Sequence, residues 1–406
     1  MKRSVVESLV IPNTTKIVLL VLDGLGDLPH PDFGRRTPLE AARTPNLDAL
    51  APTAALGRVL PVEPGITPGS GPGHLGLFGY DPVETVVGRG VLEAIGADME
   101  LKPGDVAARA NFCTRDASGV VTDRRAGRIP SETCAQLVAK LQKDAARFED
   151  VDVILKPGKG HRFVAVLRGP GLGGDVSDAD PHKEGKPIPA AHALNPGAAN
   201  EKTARIVNAF IARTAEILKA ELPANAALAR GFSERPSFPG YRERWQLRAA
   251  AIAAYPMYRG VAQLAGMDLF VPSGEGALEA IAVAEQKWND YDFFFLHVKG
   301  TDMAGEDGNF EAKQAVIEAT DAALPRLLAL KPDVLAVTGD HSTPCMVKGH
   351  SWHPVPVLIH GTWCFADGLE RFTEKHCRAG SFAGLRSMDL MPVLMANAAR
   401  LDKYGA

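Results

Sequence analysis

The stretch KIVLLVLDG, residues 16–24, is apolar without a break until Asp23 and Gly24. A strand with one wet face alternates polar and apolar residues; a strand buried on both faces does not. This segment therefore needs helices above and below it. LRAAAIAA (247–254), YDFFFLHV (291–298), DVLAVTG (333–339) and VPVLIHG (355–361) carry the same pattern. Amphipathic helical stretches lie between several of them, GALEAIAVAEQKWND (276–290) and EAKQAVIEATDAALPRLLAL (311–330). Strand–helix alternation of this kind predicts an α/β fold built on a mostly parallel sheet.

Between about residues 86 and 195 the texture changes. GDVAARANFCT, VVTDRRAGRI, VDVILKP and HRFVAVLRG read as short strands, with one helix, SETCAQLVAKLQKDAARF, capped by Ser131. HALNPGAAN (192–200) reads as a linker before the long amphipathic helix EKTARIVNAFIARTAEILKAEL. The expected organisation is a core made of residues 1–85 and 196–406, with a smaller α+β domain inserted at 86–195.

Composition narrows the function. A net charge of −3, with no run of five or more like charges, leaves nucleic acid no obvious electrostatic footprint. No apolar run is long enough to span a bilayer, and MKRSVVESLVIPNTT carries Glu7 where a signal peptide needs an apolar core. A cytoplasmic enzyme of a small molecule is expected, with the oligomeric state left open. The five cysteines, Cys113, Cys134, Cys345, Cys364 and Cys377, form no C-x-x-C pair and read as reduced thiols.

In open parallel sheets, ligands bind beyond the carboxyl ends of the strands. Here those ends carry Asp23, then Asp302 and Glu306, then Asp340–His341 with His350 in the following loop. Carboxylate oxygen and imidazole nitrogen without thiolate suit manganese, magnesium or zinc. Acids and histidines from several strand ends could hold two ions that clamp a transferring phosphoryl group. Ser70, in the Gly-rich TPGSGPGH, opens a helix-like stretch where an anion is favoured. On its own it is an ordinary turn serine; beside a divalent ion it becomes a nucleophile at neutral pH. No G-x-S-x-G is present. GPGLGG (169–174) matches a dinucleotide-binding pattern only formally, since DVSDADPH after it cannot open the required helix. Arg109, Arg124, Arg125 and Arg128, with His161, Arg162 and the stretch SDADPH (Asp178, Asp180, His182), suit a substrate with more than one anionic group.

VLDGLGD, TPLEAARTPNLDALA, PGSGPGHLGLFGYDP, GRGVLEAIG, GDVAARANFCT, DRRAGR, SDADPH, AAYPMYRGVAQLAGM, HVKGTD and TGDHSTP, in this order, resemble the archaeal-type cofactor-independent phosphoglycerate mutases of the alkaline phosphatase superfamily. The resemblance spans nearly the whole chain. It implies a phosphatase-like core with an inserted substrate domain. It also implies interconversion of 3-phosphoglycerate and 2-phosphoglycerate through a phosphoserine on Ser70, without bisphosphoglycerate. Carried over by motif, one ion is held by Asp23, Ser70, Asp340 and His341, and the other by Asp302, residue 306 and His350, with manganese favoured over magnesium, zinc and cobalt. Lys299, in HVKGTD, joins the inserted domain's residues in binding substrate, and domain closure keeps water from the phosphoserine. One position departs from the resemblance: the family pattern reads Asp-x-x-x-His, and this chain has Glu306. Glutamate is a harder ligand and shifts the site away from zinc; alternatively it points away and water or His353 takes the place. The substitution also leaves room for a relative with another acceptor, such as an unusual homoserine kinase, or a metal-dependent phosphatase or phosphonate hydrolase.

Overall fold

The computed structural model describes residues 5–405, so the first four residues of the N-terminal stretch lie outside it. The chain forms two compact units, one made of residues up to Val86 and from Phe238 onward, the other of Val87–Ser237. Among the described residues no helix is long and apolar enough to cross a membrane.

The first unit is built on an eight-stranded sheet. Its order is Asp268–Phe270, Ala249–Ile252, Phe293–Val298, Ile17–Leu22, Val334–Thr338, Val355–Gly361, Ala55–Leu60, Phe382–Arg386. The strands on the Asp268 side of Val334–Thr338 are parallel to one another, whereas Val355–Gly361 runs antiparallel to both of its neighbours. The sheet is thus α/β and mostly parallel, as the apolar runs predict. Ile17–Leu22 and Phe293–Val298 are buried at every residue, and Ala277–Lys287 and Phe310–Ala329 pack their apolar faces on the same core. Register does the work of alignment: Leu22 pairs with Val298, and Val21 with Thr338. The residues that leave these strands therefore emerge together at one end of the sheet.

The second unit is an α+β assembly whose central strand, Val106–Arg115, pairs antiparallel with Arg162–Arg168 on one side and Ala226–Glu234 on the other. Its core also takes Ala204, Ile206, Val207 and Phe210 from the long helix Ala198–Ile217. This moves the second boundary: the insertion expected to end at residue 195 extends to Ser237. The physical reason is strand 226–234, which completes the sheet of the inserted unit and carries the long helix with it. The Gly and Pro of HALNPGAAN mark a helix start, with Gly197 at its N-cap. Ser131 differs too. It is the first helical residue after Pro130, and its hydroxyl accepts from Gly160 N at 2.9 Å instead of capping the helix.

Candidate metal and phosphoryl-transfer site

Ser70 begins the helix Ser70–Leu77, with Gly69 as N-cap. Its sequence, SGPGHLGL, has three glycines and one proline and so little helical propensity. Close packing holds it: a Cβ on Gly73 would lie 2.6 Å from the Asp340 carbonyl oxygen. The helix N-terminus is thereby seated against the end of strand Val334–Thr338. Asp23 leaves its strand through a turn at Gly24, whose φ of 62° and crowding by Thr343 and Asp302 leave no room for a side chain.

At this end of the sheet Asp23, Asp340 and His341 are fully buried. His341 Nε2 lies 3.3 Å from Asp23 Oδ1, 3.2 Å from Asp340 Oδ2 and 3.4 Å from Ser70 Oγ. Such spacings match the edges of a tetrahedron of ligand atoms about 2 Å from its centre. Asp23 Oδ1 and Asp340 Oδ2 are both buried without a hydrogen-bond donor, while Asp340 Oδ1 accepts from Gly24 N at 3.1 Å. His341 Nδ1 stands 2.9 Å from Thr343 Oγ1, which is 2.6 Å from Asp302 Oδ1. A hydroxyl with one hydrogen satisfies both contacts when it donates to Asp302 and accepts from Nδ1–H. That leaves the Nε2 lone pair facing the acids.

Asp302, on the helix Gly300–Asp307, forms a second group with His341 and His350. His350 Nε2 is 3.6 Å from Asp302 Oδ1, and its Nδ1 donates to the Pro68 carbonyl at 2.9 Å. Glu306, one turn beyond Asp302, has a side chain 55% exposed, with Oε1 3.9 Å from His350 Nε2. His353 stands apart from both groups, with Nδ1 bound to Ser351 Oγ at 3.0 Å. Lys299 Nζ lies 2.5 Å from Asp302 Oδ2 and 3.4 Å from Asp23 Oδ2, between the two groups.

The residues present fit divalent cations. Burial opposes the charge on Asp23, yet the hydrogen bond from His297, the His341 imidazole beside it and the Lys299 ammonium hold its carboxyl well below the usual range. Burial likewise works against a charged His341, but Asp340, Asp23 and Asp302 push its pKa up to about 9, so a proton sits on Nε2 at neutral pH until a cation displaces it and frees the lone pair. Three acids this close and this buried call for positive charge, and oxygen and imidazole donors with open lone pairs face the space between them.

In the second unit, Arg109, Arg124, Arg125, Arg128, His161 and Arg162 all line one cavity of about 600 Å³. Lys159, Asn111 and Arg230 line it as well and escaped the sequence reading; Lys159 lies two residues before the quoted HRFVAVLRG, and Arg230 lies on the strand paired with Val106–Arg115. Burial, followed by the charges of Arg162, Arg125 and Arg109, lowers the His161 pKa, as expected for an imidazole in a strongly positive cavity. Asp178, Asp180 and His182 are placed differently from a direct substrate contact in this cavity; they line a separate one. Asp180 is 2% exposed and grips Arg124 through two hydrogen bonds of 3.0 and 2.6 Å. Asp178 accepts from Gly231 N at 2.7 Å and faces His182 Nε2 at 3.1 Å.

Comparison with known proteins extends over the whole chain. A Thermus thermophilus protein named as a probable 2,3-bisphosphoglycerate-independent phosphoglycerate mutase is 54% identical, over 97% of this chain and 96% of that one. This chain belongs to the 2,3-bisphosphoglycerate-independent phosphoglycerate mutase family. The family's model matches residues 51–225. A second mutase-family relative, from Thermotoga neapolitana and also named as probable, is 51% identical over 100% of this chain and 99% of its own. Among solved structures, the cofactor-independent phosphoglycerate mutase of Thermoplasma acidophilum is 32% identical with a TM-score of 0.80, covering 95% of this chain and all (100%) of that one. A Pyrococcus horikoshii protein is 33% identical with a TM-score of 0.79, covering 97% and 100%.

Proposed function

We propose that the protein interconverts 3-phosphoglycerate and 2-phosphoglycerate, with Ser70 carrying the phosphoryl group between the two hydroxyls of glycerate. The supporting observation is Ser70 itself: it opens a helix, and its Oγ lies 3.4 Å from His341 Nε2 beside two buried acids. Asp23, Ser70, Asp340 and His341 would hold one divalent ion, and Asp302, His350 and Glu306 the other. Oxygen and imidazole donors without thiolate favour manganese. Bound ions supply Lewis acidity, which neutralises phosphoryl oxygens and lowers the serine pKa.

The chain's own residues do the rest. Ser70 gives up its hydroxyl proton as Oγ attacks phosphorus, and the bond to the first glycerate oxygen breaks, that oxygen leaving with the electron pair and taking up a proton in place of the one Ser70 lost. Glycerate then reorients, and its other hydroxyl attacks the phosphoserine, returning the electron pair and a proton to Ser70. Because Ser70 stores the phosphoryl group, no bisphosphoglycerate is needed. Free amides at the N-terminus of the Ser70–Leu77 helix and the Lys299 ammonium favour the anion during both steps. Burial disfavours a charged Lys299, but Asp23 and Asp302 outweigh it and raise its pKa, keeping the ammonium charged at neutral pH. The arginine cavity suits the substrate's carboxylate and phosphate, and Asp180 would orient Arg124 for that contact. Asp178 and His182 would order the adjoining loop. The reaction would serve glycolysis and gluconeogenesis, and a cytoplasmic location goes with that reading.

The test couples manganese-loaded protein and 3-phosphoglycerate to enolase. Phosphoenolpyruvate formation that a Ser70→Ala control lacks is the expected result. No product above that control would sink the proposal.

A further inference from the structure

Two histidines lie behind the acids and outside the ion ligands named above. His297, 2% exposed on the strand Phe293–Val298, has Nε2 2.9 Å from Asp23 Oδ2. His74, one turn after Ser70, has Nδ1 2.8 Å from the Ser70 carbonyl and 3.1 Å from Asp340 Oδ2. Their ring centroids are 5.2 Å apart, and Tyr258 stacks on His297 at 3.8 Å. Because Asp23, His74 and His297 each offer a ligand atom within 4.8 Å of the others, a third cation site has to be weighed against a purely supporting role.

Hydrogen-bond geometry decides between them. A ligating imidazole gives its remaining N–H to an acceptor. If His297 Nε2 bound an ion, Nδ1 would carry the hydrogen, yet Nδ1 is buried and has no partner. With the hydrogen on Nε2, the 2.9 Å contact to Asp23 is a satisfied hydrogen bond and no buried N–H is stranded.

We propose that His297 is a positioning residue: it donates from Nε2 to Asp23 Oδ2 and so turns Asp23 Oδ1 toward His341 and the first ion. A planar carboxylate held by one oxygen has the direction of the other set. Two contacts make that hold stiff. Tyr258 fixes the imidazole plane, and the Thr301 hydroxyl donates to the Asp23 carbonyl at 2.5 Å; Asp23 Oδ1 is left 3.3 Å from His341 Nε2 with no donor of its own. The inference rests on Asp23 as a ligand in the proposed function, but not on the substrate.

Its test is therefore a metal titration of the full chain, with manganese as the only probe and no substrate present. His297→Phe keeps a ring and removes the donor; His297→Gln returns an N–H near the Nε2 position. Equilibrium dialysis is expected to show one manganese site weakened by about 10- to 100-fold in His297→Phe and restored to within about threefold in His297→Gln. The number of ions at saturation should match wild type. In the enolase-coupled assay, kcat should fall while KM for 3-phosphoglycerate holds. Should His297→Phe fail to fold, His297→Asn, whose amide ends short of Asp23, takes its place in the same comparison. A wild-type isotherm in the donor-less variant would overturn the proposal, as would a Gln variant no better than Phe. Loss of one whole ion at saturation would also overturn it, making His297 a ligand. Failure of the mutase reading shows elsewhere, as normal manganese binding by wild type without turnover.

Discussion

Gly73→Ala is the sharpest probe of how Ser70, the proposed nucleophile, is held. The added Cβ would lie 2.6 Å from the Asp340 carbonyl oxygen, and 3.2 Å from that residue's carbonyl carbon and Cβ. An ordinary carbon–oxygen contact is about 3.3–3.6 Å, so helix and strand end must part by roughly 0.7–1 Å. Neither partner is a flexible side-chain tip: one is helix backbone, the other the backbone of a proposed ion ligand. Overpacking of this size costs about 1–3 kcal/mol of stability. The functional loss should be larger in proportion, because Ser70 sits three residues away on the same turn of helix. A misplacement near 1 Å can cost about 100-fold in rate. The enolase-coupled assay should show kcat down by roughly 10- to 100-fold, with KM changed little. Gly69→Ala supplies the contrast, since its Cβ would meet nothing nearer than Pro72 Cδ at 3.9 Å. Gly73→Ala with near-wild-type kcat and melting temperature would refute the reasoning. Equal damage from Gly69→Ala would refute it too, by showing that any methyl on this turn does harm.

Two further outcomes are expected. Glu306→Ala should weaken one manganese site by about tenfold or more, and Glu306→His should shift preference toward zinc; unchanged dialysis isotherms for both would make Glu306 a bystander. Glu374 is buried, accepts from the Thr37 hydroxyl at 2.6 Å, and is pushed by burial from an ordinary 4.5 to about 8. The folded state therefore keeps a proton that the unfolded chain has released, and stability falls as pH rises from about 4.5 to about 8. Glu374→Gln keeps the acceptor for Thr37 and should flatten that fall, with a gain on the order of a few kcal/mol at pH 8 that shrinks toward pH 5. Parallel pH profiles of unfolding midpoint for the two proteins would exclude it.

The strands Ile17–Leu22, Phe293–Val298 and Val334–Thr338 were legible because burial on both faces demands unbroken apolar sequence. With them came Asp23, Asp302, Asp340 and His341, whose positions follow from the strand ends alone. Ala55–Leu60 was not legible: ALGRVL interrupts its apolar run with Gly57 and Arg58 on the antiparallel side of the sheet. The second boundary failed for a different reason. An amphipathic helix such as Ala198–Ile217 states that one face is buried, not against which sheet. The strand that decides the matter, AALARGFSE, is too rich in small and polar residues to announce itself. His297 hid inside the apolar run it interrupts, and His74 behind the serine it supports.

Glu306 is where the chain departs from the pattern it resembles, and the structure gives that departure a physical setting. Asp23, Asp340 and His341 are buried, hydrogen-bonded at their remaining atoms to Gly24, His297 and Thr343, and packed against a helix that tolerates no methyl at residue 73. A change of ligand type there would strand buried polar groups or force the backbone apart. Glu306 sits at the opposite extreme, half exposed on the last turn of a short helix, 3.9 Å from the nearest ring nitrogen of His350. A side chain with three rotatable bonds and solvent at its tip can trade imidazole for carboxylate without disturbing its neighbours. Metal preference would therefore be tuned most readily at the proposed second ion, while the geometry of Ser70 and the proposed first ion would be set by packing.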